Sequence, residues 1–237
     1  MASSALGTVY LIPTFLDENN LEPIPAYVLN GIRECQVFFV ENERSARRYL
    51  KQMWKEMVID NYEWFAIHKA EDEVGTAFRQ QLQRGKTIGI ISEAGCPGVA
   101  DPGQVLVAIA QQMGAVVKPF VGPSSILLAL MASGMNGQQF RFNGYLPIDN
   151  AHRNKMLKDL ETESAKNNCT QIFIETPYRN NQLVEAMLAQ CKPDTRLCIA
   201  VDLTGANEFV ITRSIKNWKS NKIDIHKRPA IFLLHAG

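Results

Sequence analysis

A run of small side chains that follows a short apolar stretch could bind a ligand through backbone groups. The stretch TIGIISEAGCPGVADPG extends from Thr87 to Gly103, and its first part, Thr87 to Ile91, is apolar and rich in β-branched residues. This pattern predicts a buried parallel strand, followed by a loop in which Gly and Ala let a ligand approach the backbone closely. We expect a helix to follow, with Asp101 as its N-cap and Pro102 in its first turn. An ordinary βα connection is the alternative, but such connections usually span about two to six residues, and this one is longer.

The composition is typical of a soluble globular protein and does not single out a charged partner. The chain has 237 residues, of which 46% are hydrophobic and 21% are charged, and its formal net charge is +1. No apolar run approaches the roughly 18 residues of a membrane-spanning helix, and the N-terminus lacks the basic region of a signal peptide. The five cysteines and four histidines are scattered without metal-ligand spacing. We therefore expect reduced thiols, a cytoplasmic location, and neither a bound metal nor a membrane.

Strands alternate with helical segments along the chain, which predicts an α/β fold. The first half should form a mainly parallel sheet from five strands, at Thr8–Pro13, Val37–Val40, Trp64–Ile67, Thr87–Ile91 and Ala115–Val121. The second half should form a mixed sheet, because its last three strands have no long helices between them; its strands are Phe140–Gly144, Gln171–Ile174, Leu197–Val201, Glu208–Thr212 and Ala230–Leu234. We place the boundary at Val121 to Pro123, which gives an N-terminal domain of residues 1–121 and a C-terminal domain of residues 122–237.

Six motifs in a fixed order connect the chain to a known family. They are GTVYLIP, ISEAGCPGVADPG, VGPSSILLALMASGM, IFIETPYR, AVDLT and RPAIFLL. Together they resemble the tetrapyrrole (corrin/porphyrin) methylase superfamily, and most closely its branch that 2′-O-methylates a ribose of small-subunit rRNA. The resemblance implies a homodimer of two-domain α/β subunits, with S-adenosylmethionine (SAM) bound in the cleft between the domains rather than at a GxGxxG loop.

The resemblance also implies that SAM is held by residues from several loops. Backbone groups and small side chains can satisfy its polar edges, while apolar walls hold the purine. The implied contacts are Pro13, Ala94, Gly95, Cys96, Val99, Ser124, Ser125, Glu175, Thr176, Leu203, Thr204 and Ala230.

The residues that would bind the methyl acceptor are less well defined than those that would bind SAM. The rRNA branch has TPIGNLED, EDTR and EAPHR where this chain has PTFLDENNLEP, ENER and ETPYR, so the motifs for the donor survive better than the loops for the acceptor. A ribose hydroxyl needs a base to remove its proton, and the carboxylates that we nominate are Glu175, Asp101 and Glu22. Phosphate binding is assigned to a basic helix face, for which a solvated surface is the alternative. Its members are Arg44, Arg47, Arg48 and Lys51.

Three functions remain open at this point. The spelling of the motifs favours an rRNA ribose methyltransferase with rRNA or the small ribosomal subunit as its partner. The near-neutral charge and the acidic first loop favour a C-methyltransferase that acts on a tetrapyrrole or another small molecule. The altered acceptor loops alone favour a non-catalytic SAM-binding paralogue.

Overall fold

The chain folds as two compact units, each with its own sheet and core. A computed structural model describes residues 5–67 and 71–237, without the side chains of residues 71–73. The units are Met1–Ser124 and Ser125–Gly237. The division into domains of residues 1–121 and 122–237 stays a prediction. His68, one of the four histidines, lies outside the described residues.

The first unit contains a five-stranded sheet in the order β3-β2-β4-β1-β5, in which every pair of neighbours is parallel. This confirms the predicted parallel sheet. Its strands are β1 Thr8–Leu11, β2 Val37–Val40, β3 Glu63–Ala66, β4 Ile88–Ile91 and β5 Val116–Pro119. Its helices are α1 Val28–Glu34, α2 Glu43–Met53, α3 Glu71–Gln83 and α4 Gln104–Met113, with a 3₁₀ turn at Ile59–Asn61.

The helices of the first unit cover both faces of its sheet. Val28 of α1 and Leu50 of α2 pack in one apolar cluster with Phe38, whereas Leu82 of α3 and Leu106 of α4 pack in a separate cluster on the other face. The chain therefore leaves the neighbouring strands β1 and β4 toward opposite faces, through α1 and α4. Such a point, at the carboxyl ends of the strands, opens the crevice in which open α/β sheets bind ligands.

The second unit contains a mixed five-stranded sheet in the order β6-β7-β10-β8-β9. The β6–β7 pair is parallel and the other pairs are antiparallel, which confirms the predicted mixed sheet. Its strands are β6 Phe140–Tyr145, β7 Thr170–Ile174, β8 Arg196–Val201, β9 Phe209–Ser214 and β10 Ala230–His235. Its helices are α5 Ser125–Ser133, α6 Asn150–Asn167, α7 Asn180–Gln190 and α8 Ile215–Lys219.

Side chains from α6, α7 and α8 share one core with the sheet of the second unit. Leu157 of α6, Leu183 of α7 and Trp218 of α8 are all buried around Phe232 of the central strand β10. The Trp218 indole N–H donates to the Leu197 carbonyl oxygen at 2.8 Å, which fixes the short helix α8 to β8. The sequence analysis did not predict α8.

The start of α4 differs from the prediction. The helix begins at Gln104 and its N-cap is Gly103, whose φ is +122°, so Asp101 is not the N-cap. Ala100 also has a positive φ, of +64°, and a chain that turns through the left-handed region on both sides of Asp101 cannot start a right-handed helix there. The Asp101 side chain is therefore left in the loop that precedes the helix.

Candidate functional site

The loops after β1 and β4 lie side by side at the crevice of the first unit. The Thr14 N–H donates to the Gly95 carbonyl oxygen at 2.8 Å, and the Gly95 N–H donates to the Phe15 carbonyl oxygen at 3.4 Å. Gly95 has a φ of +70°, a conformation that side chains disfavour. Glycine is thus favoured at the point where the two loops are joined by hydrogen bonds.

The loop after β5 joins the other two. A Cβ atom added to Gly122 would lie 2.1 Å from Cβ of Pro13, so the backbone at Gly122 packs directly against the Pro13 side chain. The Cys96 thiol lies 3.6 Å from the Pro123 carbonyl oxygen. Burial and the nearby Asp101 carboxylate raise the pKa of Cys96, which keeps the thiol protonated. The structure therefore brings three implied SAM contacts together: Pro13, Gly95 and Cys96.

Asp101 is a carboxylate without a compensating cation. Its pKa is raised to about 6, mainly by burial and further by the negative charges of Glu41 and Glu93, against a hydrogen bond with Ser92 that lowers it. It forms no salt bridge with any residue in the described ranges. A carboxylate with a pKa just below neutral can accept a proton efficiently at pH 7.

Three of the remaining SAM and base candidates of the first unit are solvent-exposed, whereas Ser124 is half-buried. Glu22 lies in the loop between β1 and α1, and its backbone N–H donates to Asn20 Oδ1 at 3.0 Å. Ala94 and Val99 are exposed in the loop after β4. Ser124 ends this unit. The structure therefore leaves Glu22 in water.

In the second unit, strand register places the implied SAM contacts at one edge of the sheet. Because β10 runs antiparallel to β7 and β8, its first residue, Ala230, pairs with Val201 at the end of β8, and Ile231 pairs with Ile174 at the end of β7. The residues just after β7 and β8 therefore lie at the same edge as Ala230; they are Glu175, Thr176, Leu203 and Thr204.

Helix α5 points its N-terminus toward that edge. At its other end, the Gly134 carbonyl oxygen accepts from Arg196, which starts β8 at the opposite edge of the sheet. Ser125, the first residue of α5, thus lies toward the Ala230 edge. The free N–H groups of a helix N-terminus favour anionic groups such as a carboxylate.

Glu175 is buried, and one of its carboxylate oxygens accepts two hydrogen bonds. Its side chain is 0% exposed and pairs with Arg179 at 2.6 Å, and the Thr176 N–H donates to the same oxygen at 2.6 Å. Burial alone would raise the pKa of Glu175, but the hydrogen bonds from Arg179 and Thr176 lower it. Glu175 does not cap α7, whose N-cap is Arg179. A carboxylate held in this way positions its loop and is a poor proton acceptor.

A second ion pair, which the sequence analysis did not single out, holds the neighbouring loops. Arg228 pairs with Asp202 at 2.6 Å, and the Arg228 carbonyl oxygen accepts from Asn180 at 2.7 Å. Asp202 and Lys227 have φ values of +49° and +61°, and residues held in such conformations tend to cluster at functional sites. The pair sets the backbone beside Leu203 and Ala230. Its two members lie in the AVDLT and RPAIFLL motifs, which were its signals in the sequence.

The predicted basic face on α2 is largely engaged within its own unit. Arg47 pairs with Glu43 at 2.8 Å and lies 5.0 Å above the Trp64 ring, and Arg48 pairs with Glu18 at 2.6 Å. Lys51 donates to the carbonyl oxygens of Lys55 and Met57. Arg44, the fourth cation of this face, is exposed.

The described residues contain neither a cluster of metal ligands nor a membrane-spanning helix. Within 5–67 and 71–237, no group of three or more His, Cys, Asp or Glu side chains could hold a metal ion. In the same part of the chain, no helix is long and apolar enough to cross a bilayer. All five cysteines are free.

Sequence comparison connects the chain to one family. Residues 20–218 match the family model described as Tetrapyrrole (Corrin/Porphyrin) Methylases. The chain is 33% identical over 205 residues to ribosomal RNA small subunit methyltransferase I of Pseudomonas aeruginosa, a match that covers 86% of this chain and 69% of that one. The protein of the same name from Halalkalibacterium halodurans is 30% identical over 183 residues, which cover 77% of this chain and 60% of that one. The chain thus spans only part of the length of these relatives.

Solved structures share the fold. Diphthine synthase superposes with a TM-score of 0.65 at 14% identity, covering 97% of this chain and 89% of that one. Uroporphyrin-III C-methyl transferase from Thermus thermophilus, complexed with S-adenyl homocysteine, superposes with a TM-score of 0.57 at 15% identity, covering 97% of both chains. The family match and the identity to the relatives confirm the resemblance: the chain belongs to the tetrapyrrole (corrin/porphyrin) methylase family of SAM-dependent methyltransferases.

Proposed function

We propose that this protein uses SAM to methylate the RNA of the small ribosomal subunit, at a ribose 2′-hydroxyl. The observation that carries the proposal is the 30–33% identity, over 77–86% of the chain, to relatives named as small-subunit rRNA methyltransferases. The loop from Ser92 to Gly103 supports it, because four of its residues have positive φ and three of these are glycines, which allow a ligand to approach the backbone closely.

Each unit offers features that fit SAM. In the first unit, Gly95 at positive φ lets the loop after β4 pack closely against its neighbours, since an added Cβ atom would lie 3.4 Å from the Pro123 carbonyl oxygen and 3.5 Å from Leu16. In the second, Glu175 Oε2 is a buried carboxylate oxygen with no hydrogen-bond partner among the described residues, so it can accept from an ammonium or hydroxyl group. The proposed contacts are the twelve that the resemblance implies. Bound SAM would supply an activated methyl group on a cationic sulfonium.

Asp101 is the proposed base. Of the three nominated carboxylates, it alone combines partial burial with a pKa raised to about 6. Glu175 is neutralised by Arg179, and Glu22 is exposed. Asp101 would take the proton of the acceptor hydroxyl as its oxygen forms a bond to the methyl carbon and the S–CH3 bond of SAM breaks, which leaves S-adenosylhomocysteine; the crevice would hold the hydroxyl in line with that bond.

Transfer of a labelled methyl group tests the proposal. The protein is incubated with methyl-labelled SAM and, in separate reactions, with small ribosomal subunits, large ribosomal subunits and a reduced porphyrinoid. We expect label in small-subunit rRNA alone. Label in the porphyrinoid alone would make the protein a small-molecule methyltransferase, and binding of SAM without transfer to any acceptor would make it a non-catalytic paralogue.

The cellular setting follows from the same proposal. An enzyme that modifies ribosomal subunits works in the cytoplasm, and the family resemblance implies that it does so as a homodimer. Light scattering coupled to size-exclusion chromatography should give a mass twice that of the 26.6 kDa chain. The mass of a single chain would remove the homodimer from the proposal.

A further inference from the structure

Basic residues are concentrated in one segment of the second unit, which we call the basic stripe and define as residues 213–228. The stripe holds six of the 25 lysines and arginines of the chain but only one of its 24 acidic residues, so the rest of the chain has an excess of acid. The near-neutral net charge conceals this asymmetry. The six cations are Arg213, Lys216, Lys219, Lys222, Lys227 and Arg228.

The stripe crosses the second unit from one edge of its sheet to the other. It starts at the end of β9, where Ser214 pairs with Arg196 at the edge opposite the implied SAM contacts. It continues through α8, which packs beside α7, and ends next to Ala230. A polymer that followed the stripe would therefore arrive at the edge that carries Glu175 and Leu203.

The central lysines of the stripe are available to a partner. Lys216, Lys219 and Lys222 are exposed, and none of them forms a salt bridge within the described ranges. The one acid of the stripe, Asp224, is engaged, because its carboxylate accepts from Asn181 and from a backbone N–H. In contrast to α2, where three of four cations have partners in their own unit, the stripe thus carries three exposed lysines without a salt-bridge partner among the described residues.

An exposed aromatic ring stands at the end of the stripe. Tyr178 is 68% exposed. The His226 ring lies 6.2 Å from it, and Lys227 Nζ lies 5.9 Å from its centroid. Exposed aromatic rings beside cations are the surfaces on which proteins stack the unpaired bases of single-stranded RNA.

We infer that the basic stripe binds the phosphates of a single-stranded RNA segment and that Tyr178 stacks one of its bases beside the implied SAM contacts. The inference rests on the proposed function, which makes RNA the methyl acceptor. It adds the surface on which that RNA docks. Lysines along the stripe neutralise phosphates regardless of sequence, and Tyr178 fixes the register of the strand.

Charge reversal with a matched control tests the phosphate contacts. In one variant, Lys216, Lys219 and Lys222 are each changed to Glu. In the control, three exposed lysines of α6 (Lys155, Lys158 and Lys166) are each changed to Glu, which alters the net charge equally. The dissociation constant for small-subunit rRNA is measured over a salt series, with SAM affinity as the measure of an intact fold.

The stripe variant should bind RNA at least tenfold more weakly, and the slope of log K against log salt should fall by about two, since each lost phosphate contact removes about 0.7. The control should keep the slope of the wild type, and both should bind SAM normally. If the two variants lose affinity and slope equally, the stripe is not the docking surface, although methylation of rRNA by the wild type would still uphold the proposed function. If the wild type neither binds nor methylates rRNA, both statements are wrong.

A single substitution tests the stacking contact. Tyr178→Ala should raise the KM for RNA several-fold without changing the salt slope, and Tyr178→Phe should restore it, because only the ring face is needed. An unchanged KM in Tyr178→Ala would show that no base stacks there.

Discussion

The two units place a carboxylate at the edge of each sheet in opposite electrostatic settings. Asp101 in the first unit is partly buried beside Glu41 and Glu93, which raise its pKa to about 6. Glu175 in the second unit is buried beside Arg179, whose hydrogen bond helps to lower its pKa. Carboxylates whose surroundings drive their pKa values apart commonly have different roles in one reaction.

This contrast is the reason that the proposal places proton transfer in the first unit and loop positioning in the second. The first unit builds its edge from backbone hydrogen bonds and small residues such as Gly95, and Asp101 has no salt-bridge partner among the described residues. The second builds its edge from the Glu175–Arg179 and Asp202–Arg228 ion pairs, which hold three loops in fixed conformations. The predictions below test this division, from the largest expected effect to the smallest.

The largest effect is expected from Asp101→Asn. Loss of the base should lower kcat for rRNA methylation by about 10²–10⁴-fold, while SAM affinity stays close to that of the wild type. Asp60→Asn, at an exposed position on the 3₁₀ turn, is the control and should keep full activity. Full activity in Asp101→Asn would mean that the reaction needs no base at this position.

Glu175→Gln should act on stability. It removes a buried carboxylate from Arg179 and should lower the free energy of unfolding by about 1–3 kcal/mol at pH 7. Because the pKa of Glu175 is lower in the folded than in the unfolded protein, its contribution is present above the unfolded pKa and is lost as the pH falls through the folded one. Urea denaturation at pH 7 and at acidic pH should therefore show the two proteins converging in acid. A constant difference across that range would show that the charge does not stabilise the loop.

Much of the fold could be predicted from the sequence, because its strands are short apolar runs separated by Gly, Pro and polar residues. The prediction that Asp101 is the N-cap of α4 was wrong. The positive φ values of Ala100 and Gly103 prevent a helix from starting there, and they depend on the conformation of the whole loop. Helical spacing predicted the basic face of α2. It could not predict that this face is neutralised, because the partner of Arg48 is Glu18, which lies in a loop distant in the sequence.

The basic stripe escaped the sequence analysis for a different reason. Its cations are distributed over a short helix and a loop, so they show no helical period. A count of charge along the chain, rather than of spacing, would have located them.

Gly95→Ala should weaken SAM binding, since the added Cβ atom would lie 3.4 Å from the Pro123 carbonyl oxygen and 3.5 Å from Leu16 and would disturb the packing of the loops that carry the implied SAM contacts. Gly114→Ala is a matched control, because Gly114 has a similar φ of +74° but ends α4 with nothing within 4 Å of the added atom. Both variants should lose about 1–2 kcal/mol of stability from the left-handed conformation. Calorimetric titration with SAM separates them, and equal affinities in the two variants would remove Gly95 from the site.

The smallest effect is expected from Glu93→Gln. Asp101 acts in its ionised form, so the rate should rise with pH through about 6 and then level off. Removing the negative charge of Glu93 should shift this rise to lower pH, whereas Glu56→Gln, at an exposed position, should not. Rates measured across pH under single-turnover conditions check the shift, and identical profiles would exclude Asp101 as the group that titrates.

Mass spectrometry of the methylated product tests the central claim most directly. Small-subunit rRNA is incubated with the protein and SAM that carries a deuterated methyl group, and is then digested to nucleosides. The account predicts the heavy methyl group on the ribose of a 2′-O-methylnucleoside, and a much smaller amount with Asp101→Asn. Label on a base, or unlabelled rRNA beside a labelled porphyrinoid, would contradict it.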